Sequence, residues 1–231
     1  KTGFFPVVLS GDHSNAGGTI AGIKMAKPKS KLGVIWMDAH ADLHTPYTTP
    51  TGNMHGMPLA TAIGEDNKAC KVHELDEKTE KIWDQLKHIG KIYPKILPED
   101  IVLISLRDYE KEEKSLIEKL GIKVITTAEV RRNGAESICR KVLRYLSECT
   151  DIYVSFDVDC LDASISRGTG TPVSNGLKER EVEDIISKFM QNRKICCFEI
   201  TEVNPTLDKE NLMAEIAFNI LQRSVNVLMM N

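Results

Sequence analysis

The chain has 231 residues, of which 42% are hydrophobic and 27% are charged, and its formal net charge is −3. This length and composition predict one globular α/β domain that buries roughly 70% of its unfolded surface. The charges form no basic stripe, which argues against nucleic acid or an anionic membrane surface as a partner. No apolar segment reaches the roughly 18 residues that would suggest a membrane span.

The cysteines and the first residue bear on the cellular location. The 6 cysteines form no Cys-x-x-Cys pair, and several of them fall within predicted helices or strands. This pattern favours reduced thiols in a cytoplasmic protein over a disulfide framework. The chain begins at Lys1 rather than at a methionine. We therefore expect further sequence upstream, which leaves a targeting segment open.

Strand and helix patterns alternate along the chain. In order, they predict a buried strand over residues 4–9, a helix over 15–25 that stops before Pro28, a strand over 32–38 and a long polar loop over 39–58. Residues 66–100 are charged and weakly patterned, with a helix near 79–88. Beyond them come strands over 101–106, 123–125, 152–156 and 195–200, and helices over 111–120, 135–147, 178–190 and 211–229. This alternation predicts a three-layer α/β/α sandwich with a mostly parallel central sheet.

Three side chains that can bind metal alternate where the second predicted strand ends. Asp38, His40 and Asp42 follow an apolar run of strand-forming residues. In an extended backbone, residues two positions apart point to the same side, so these three side chains can converge. The carboxyl ends of strands are also where open α/β sheets bind their ligands.

Two other predicted strands end in residues of the same kind. His13 follows the first strand, and Asp157 and Asp159 follow the fifth. Alone, each fragment also fits a helix cap or a polar strand end. Together, two imidazoles and four carboxylates exceed a closed zinc site and suit a pair of divalent cations with bridging carboxylates. Such an oxygen-rich set favours Mn²⁺, with cobalt, nickel and iron as alternatives.

The segments that carry these residues resemble a known family. They read Ser-Gly-Asp-His-Ser over 10–14, Asp-Ala-His-Ala-Asp over 38–42 and Ser-Phe-Asp-Val-Asp over 155–159. Together they are similar to the three motifs of the ureohydrolases, the arginase and agmatinase family. The loop over 44–56 resembles the substrate loop of arginases rather than the shorter loop of agmatinases. The resemblance covers nearly the whole chain and implies an arginase-like fold.

The resemblance also implies a reaction and its residues. An arginase-type hydrolase with two Mn²⁺ ions per subunit cleaves the guanidinium of L-arginine to L-ornithine and urea, through attack by a hydroxide that bridges the metals. Asp42 would handle the proton of this hydroxide, His55 would shuttle protons, and Glu202 would pair with the guanidinium. The implied metal ligands are His13, Asp38, His40, Asp42, Asp157 and Asp159. The implied substrate contacts are His44, Thr51, Asn53, Asp108, Glu110, Thr171 and Glu202.

The chain departs from the arginase pattern at three substrate positions. His44 stands where arginases have Asn and Thr51 where they have Ser, both next to the substrate's α-carboxylate. Glu110 replaces the Asp that recognises the α-amino group. L-Arginine is therefore the favoured substrate, with agmatine, guanidinobutyrate and formiminoglutamate as alternatives. A catalytically silent metal-binding homologue is a further hypothesis.

The resemblance finally bears on domains and assembly. It implies one ureohydrolase domain over residues 1–231, with an N-terminal portion of the family's domain absent. Family members assemble as trimers or hexamers, so we expect a homo-oligomer, with a homotrimer first. The expected partner is a small guanidino substrate, without nucleic acid or membrane.

Overall fold

A parallel β-sheet of six strands forms the centre of residues 4–230, the part of the chain that this computed structural model describes. The strands are β1 (Val7–Leu9), β2 (Leu32–Met37), β3 (Ile101–Ile104), β4 (Lys123–Ile125), β5 (Asp151–Asp157) and β6 (Ile195–Thr201). They lie in the order β1-β6-β5-β2-β3-β4. All five strand pairs are parallel.

Helices cover both faces of this sheet. They are α1 (Asn15–Ala26), α2 (Pro58–Ile63), α3 (Glu77–Lys87), α4 (Lys111–Leu120), α5 (Thr127–Tyr145), α6 (Glu179–Met190) and α7 (Leu212–Met229). Successive residues of a strand face opposite sides, so Ile35 packs in the apolar cluster under α5, α6 and α7, whereas Val34 and Trp36 pack in the cluster under α1, α2 and α4. The predicted three-layer α/β/α sandwich is confirmed, and every strand pair within residues 4–230 is parallel.

The register of the sheet aligns the ends of its central strands. Met37 pairs with Phe156, so Asp38 and Asp157 leave β2 and β5 side by side. Asp157 in turn pairs with Thr201 at the end of β6. Glu202 follows Thr201, so the carboxyl ends of three neighbouring strands carry Asp38, Asp157 and Glu202 at the same end of the sheet.

The prediction of a buried first strand is wrong. The strand spans only Val7–Leu9, and the side chain of Leu9 is 68% exposed. Within residues 4–230, β1 pairs with β6 alone and lies at the edge of the sheet. An apolar run indicates burial only when an element covers it, and an edge strand has a neighbour on one side only.

Two helices extend beyond or lie outside their predictions. The helix predicted over 135–147 is the second half of α5, which begins at Thr127 and is interrupted at Gly134, where φ is 73° and ψ is 160°. Its start has a capping signal, because the Thr126 side chain accepts a hydrogen bond from the backbone N–H of Glu129. The predicted loop over 39–58 is largely buried up to Thr49. Helix α2 (Pro58–Ile63) follows it and was not predicted.

Arg107 connects the end of β3 to the loop that follows β5. Its guanidinium donates hydrogen bonds to the backbone carbonyls of Asp159 at 2.7 Å, Leu161 at 3.0 Å and Val173 at 2.9 Å. Gly176 packs against the same place, where an added Cβ would lie 2.4 Å from the Leu161 carbonyl. The position of Asp159 therefore depends on close backbone packing around Arg107.

We expect Gly176→Ala to lower the free energy of unfolding by about 1–3 kcal/mol, because the new methyl group must displace backbone. Chemical denaturation measures this loss. Gly170→Ala is the matched control, since nothing lies within 4 Å of a Cβ there. Equal stability of the two variants would contradict the close packing inferred at Gly176.

Candidate metal centre

The end of β5 and the loops after β1 and β2 bring one histidine and three carboxylates together. Nδ1 of His13 lies 3.0 Å from Oδ2 of Asp38, 3.0 Å from Oδ2 of Asp42 and 3.2 Å from Oδ2 of Asp157. All four side chains are buried. Residues far apart in the chain thus aim four potential ligand atoms at one point.

A second group adjoins the first and shares Asp38 with it. Nδ1 of His40 lies 3.4 Å from Oδ1 of Asp38 and 3.0 Å from Oδ2 of Asp159. The ligand atoms of His13, Asp38 and Asp42 lie within 4.8 Å of one another, as do those of Asp38, His40 and Asp159. Asp38 therefore turns one oxygen toward each group, as a carboxylate shared by two cations would.

The electrostatics of the cluster favour added positive charge. Burial and the charge of Asp38 raise the pKa of Asp42 to about 7. Burial, Asp159 and Asp38 raise the pKa of Asp157 well above its ordinary value. For His40, burial opposes the charged form, but the contacts with Asp159 and Asp38 raise its pKa to about 12. Four buried carboxylates repel one another, and only bound protons or cations relieve that repulsion.

Two buried atoms in the cluster make no hydrogen bond. They are Nδ1 of His13 and Oδ2 of Asp42, which lie close together without hydrogen-bond geometry. Buried polar atoms are normally paired, so unpaired ones require an explanation. Imidazole nitrogen and carboxylate oxygen are suitable donors for Mn²⁺, cobalt and similar ions. The residues present therefore fit a centre for divalent metal.

The backbone of the cluster is strained at two residues. Asp42 has a φ of 51° and Glu202 a φ of 67°, both in the left-handed region that non-glycine residues rarely adopt. Such strain concentrates at functional sites. The Glu202 carboxylate accepts a hydrogen bond from the backbone N–H of His13 at 2.7 Å. Glu202 therefore lies beside the two groups of candidate metal ligands, which we call the metal-type groups or the metal-type cluster. It does not line the cavity described next.

A cavity of about 390 Å³ opens in front of these groups. It contains most of the residues expected to bind substrate, together with His55, and no Lys or Arg among residues 4–230 lines it. Asp108, expected as a substrate contact, is exposed, and its Oδ2 lies 3.7 Å from Nε2 of His40. The lining residues are His40, Asp42, His44, Thr49, Pro50, Thr51, Asn53, His55, Gly56, Asp108, Glu110, Glu113, Thr171, Pro172 and Val173.

Glu113 is a cavity residue that the sequence analysis missed. Its Oε1 accepts from the backbone N–H of Leu43 at 3.0 Å, and its Oε2 lies 3.4 Å from Nε2 of His44. Burial raises the pKa of Glu113 well above its ordinary value. The spacing between Glu110 and Glu113, a cap and the third residue of α4, was the available signal.

His44 is held at both of its ring nitrogens. Nε2 lies 2.8 Å from Oε2 of Glu110, and Nδ1 lies 3.2 Å from the hydroxyl of Thr48. Because the Glu110 carboxylate can only accept, Nε2 of His44 carries the hydrogen of that contact. The Thr48 hydroxyl can then donate to Nδ1. The ring therefore has no donor left for a substrate carboxylate while it holds Glu110.

Comparison with known proteins places the chain in a family. The model of the Arginase family matches residues 1–225. The arginase of Bacillus caldovelox is 42% identical over 222 residues, which cover 96% of this chain and 68% of that protein. This chain belongs to the arginase family. The match confirms the resemblance to ureohydrolases, closest to arginase, and the prediction of an arginase-type hydrolase.

Solved arginase structures share the fold. The structure of the Bacillus caldovelox arginase at pH 5.6 matches with a TM-score of 0.83 at 40% identity, and covers 96% of this chain and 69% of that one. The Helicobacter pylori arginase matches with a TM-score of 0.86 at 27% identity, covering 97% and 73%. Among residues 4–230, no helix is long and apolar enough to cross a membrane.

Proposed function

We propose that this member of the arginase family hydrolyses L-arginine to L-ornithine and urea, with two Mn²⁺ ions per subunit. The observation that carries the proposal is Asp38, whose two oxygens face two adjoining ligand groups. Both groups lie at the cavity that holds the arginase-type loop. Family membership supports the reaction, and the oxygen-rich donor set supports Mn²⁺, with Co²⁺ as an alternative.

We propose that six residues hold the metal ions. Two bound divalent cations would lower the pKa of a water molecule enough to supply hydroxide at neutral pH. The chain's contribution is to keep four carboxylates and two imidazoles oriented in a buried place. The residues are His13, Asp38, His40, Asp42, Asp157 and Asp159.

Asp42 and His55 are the proposed proton carriers. Asp42 belongs to the buried cluster and also lines the cavity, so its carboxylate can hold a proton next to a bound substrate. His55 is half-buried, lies later in the same loop and also lines the cavity. Imidazole exchanges protons near neutral pH and suits the delivery of a proton to the leaving amine.

Glu202 and Thr171 are the proposed contacts of the guanidinium end. One oxygen of Glu202 accepts from His13, which leaves the other oxygen able to pair with a planar guanidinium. The Thr171 hydroxyl lies 3.2 Å from Oδ2 of Asp159 and faces the same cavity. These contacts would bring the guanidinium carbon close to the metal-type groups.

The outer end of the cavity carries the proposed contacts of the amino-acid end. Asp108 and Glu110 place negative charge there, and no Lys or Arg among residues 4–230 lines the cavity, which suits an α-amino group. Thr51 and Asn53 can donate to an α-carboxylate. His44 then serves to hold Glu110 rather than to contact the carboxylate.

A substrate panel with defined metal tests the proposed function. The Mn²⁺-loaded protein is assayed for urea release from L-arginine, agmatine and guanidinobutyrate, and for formamide release from formiminoglutamate. L-Arginine is expected to give the highest kcat/KM. A clear preference for one of the other compounds would overturn the assignment of L-arginine as substrate. Bound metal without any turnover would support a catalytically silent homologue.

Glu110→Gln is expected to raise KM for L-arginine by about tenfold with little change in kcat, because a partly exposed charged contact with the α-amino group is lost. Guanidinobutyrate has no amino group, so its KM should stay unchanged. Glu118→Gln, an exposed change on the same helix, is the control. An equal rise in KM for both substrates would contradict the role of Glu110.

Removal of metal by a chelator is expected to lower the melting temperature, because the buried carboxylates then repel one another. Added Mn²⁺ at a hundred times its Kd should raise the free energy of unfolding by about 2.7 kcal/mol. Differential scanning calorimetry measures the shift. Asp38→Asn serves as the control and should show little response to Mn²⁺. Identical melting of wild-type protein with and without metal would contradict the site.

We further propose one ureohydrolase domain over residues 1–231 that assembles as a homotrimer or hexamer in the cytoplasm. The chain spans 68% of the length of the Bacillus caldovelox arginase. Large apolar side chains on α7, such as Phe218 at 59% exposure, support assembly. Six free thiols fit a reducing compartment. Sedimentation measures the oligomeric state.

A further inference from the structure

The indole of Trp36 contacts two side chains of the metal-type cluster. Its ring stacks on the imidazole of His13, with ring centroids 4.0 Å apart and an angle of 5° between the planes. Its Nε1–H donates a hydrogen bond to Oδ2 of Asp38 at 3.0 Å. Trp36 lies in β2 and is fully buried. One side chain therefore joins a residue after β1 to a residue after β2.

We propose that Trp36 is a positioning residue that sets the orientation of His13 and Asp38 for metal binding. The proposal rests on the metal centre of the proposed function. Trp36 and Asp38 are two residues apart and so lie on the same side of the chain. The stacked indole fixes the plane of the His13 ring, and the indole N–H fixes one oxygen of Asp38.

The neighbours of Trp36 complete this arrangement. In the sheet register Trp36 pairs with Ser155, whose hydroxyl lies 2.8 Å from Nε2 of His13. This contact occupies Nε2 and leaves Nδ1 of His13, which makes no hydrogen bond, free to bind a metal ion. The other oxygen of Asp38 accepts from the backbone N–H of His40 at 2.7 Å. Ser155 thus holds His13 on the side of the ring opposite Nδ1, and each oxygen of Asp38 accepts one N–H, from Trp36 or from His40.

The contacts set Trp36 apart from an ordinary core tryptophan. A buried indole N–H needs an acceptor, and many acceptors would satisfy it. Here the acceptor and the stacking partner are both members of one candidate ligand group. Outer contacts that orient ligands typically change metal affinity by about 10–100-fold. Loss of the Trp36 contacts should therefore weaken metal binding.

Trp83 provides a matched control for this idea. It is also buried, and its Nε1–H also donates to an aspartate, Oδ1 of Asp66 at 2.8 Å. Asp66 belongs to none of the candidate ligand groups found among the described residues. The chain has 2 tryptophans in all, so each can be replaced by phenylalanine with the same chemical change.

The test measures Mn²⁺ affinity of chelator-treated wild-type, Trp36→Phe and Trp83→Phe proteins by isothermal titration calorimetry, with folding checked by circular dichroism. Trp36→Phe keeps an aromatic ring and loses the N–H. We expect it to weaken at least one Mn²⁺ site by about 10–100-fold. Trp83→Phe should bind Mn²⁺ as the wild type does.

Three outcomes overturn the proposal: wild-type affinity in Trp36→Phe, equal losses in both variants, or no Mn²⁺ binding by the wild type. The last also overturns the proposed metal centre. The first two leave it intact, provided that the wild type still releases urea from L-arginine. Should Trp36→Phe fail to fold, benzothienylalanine at position 36 in the Trp83→Phe background removes the N–H without changing ring size, and the same affinity loss is expected.

Discussion

Asp38→Asn lowers kcat/KM for L-arginine by at least about a thousandfold. The carboxylate faces both ligand groups, through Oδ2 toward His13 and Oδ1 toward His40. A neutral amide removes one negative charge from both groups at once, because both groups share this carboxylate. Losing several kcal/mol of metal-assisted stabilisation, about 4 kcal/mol, corresponds to this factor. Urea release measures the rate, and metal analysis should show fewer ions bound per subunit.

Asp12→Asn is the control for this prediction. Asp12 lies next to His13 in the chain, but it is exposed and its carboxylate accepts from the backbone N–H of Ser14 at 2.9 Å. It belongs to neither ligand group and does not line the cavity. Its variant should keep wild-type activity. Full metal content and near-normal activity in Asp38→Asn would refute the shared role of this residue.

His55→Asn lowers kcat by about 10²–10⁴-fold, the range that a positioned proton donor contributes. The side chain lines the cavity and belongs to neither ligand group, so metal content and melting temperature should stay unchanged. The control is His88→Asn, because His88 is exposed and lies outside the cavity, with its Nδ1 2.7 Å from the Asp84 carbonyl and its ring stacked on Tyr93. A His55 variant with wild-type kcat would remove this residue from the mechanism.

The metal-type cluster could be predicted because its members sit in short motifs at strand ends. The triplet Asp38, His40 and Asp42 lies directly after a strand of uninterrupted apolar residues, which marks it as central and parallel. Parallel strands end at the same edge, so residues after different strands meet there. The register of Met37 with Phe156 then brings Asp38 and Asp157 side by side. Pattern and topology suffice for this result.

Contacts between distant side chains could not be read from the sequence. Trp36 belongs to the same apolar run as Val34 and looks like a core residue, and its contact with His13 depends on a loop that crosses from the edge strand. Glu113 looks like a surface residue of a charged helix, yet it is 3% exposed because the loop from β2 covers it. Glu202 was expected to pair with the guanidinium, but the sequence did not show that its carboxylate accepts a hydrogen bond from the His13 backbone.

The sequence pattern also did not predict that β1 lies at the edge of the sheet or that α5 is interrupted. The apolar run at β1 predicts burial, but exposure depends on which element pairs with the strand. At Gly134 the backbone leaves the helical region within a continuous polar stretch, which hid the first half of α5. Local propensity gives the type of each element, whereas its environment comes from tertiary packing.

Anomalous X-ray diffraction from crystals grown with Mn²⁺ tests the central claim most directly. The account predicts two manganese peaks per subunit. One should lie within bonding distance of His13, Asp38 and Asp42, and the other within bonding distance of His40, Asp38 and Asp159. A single peak, or peaks bound by other residues, would contradict a pair of metal ions that share Asp38.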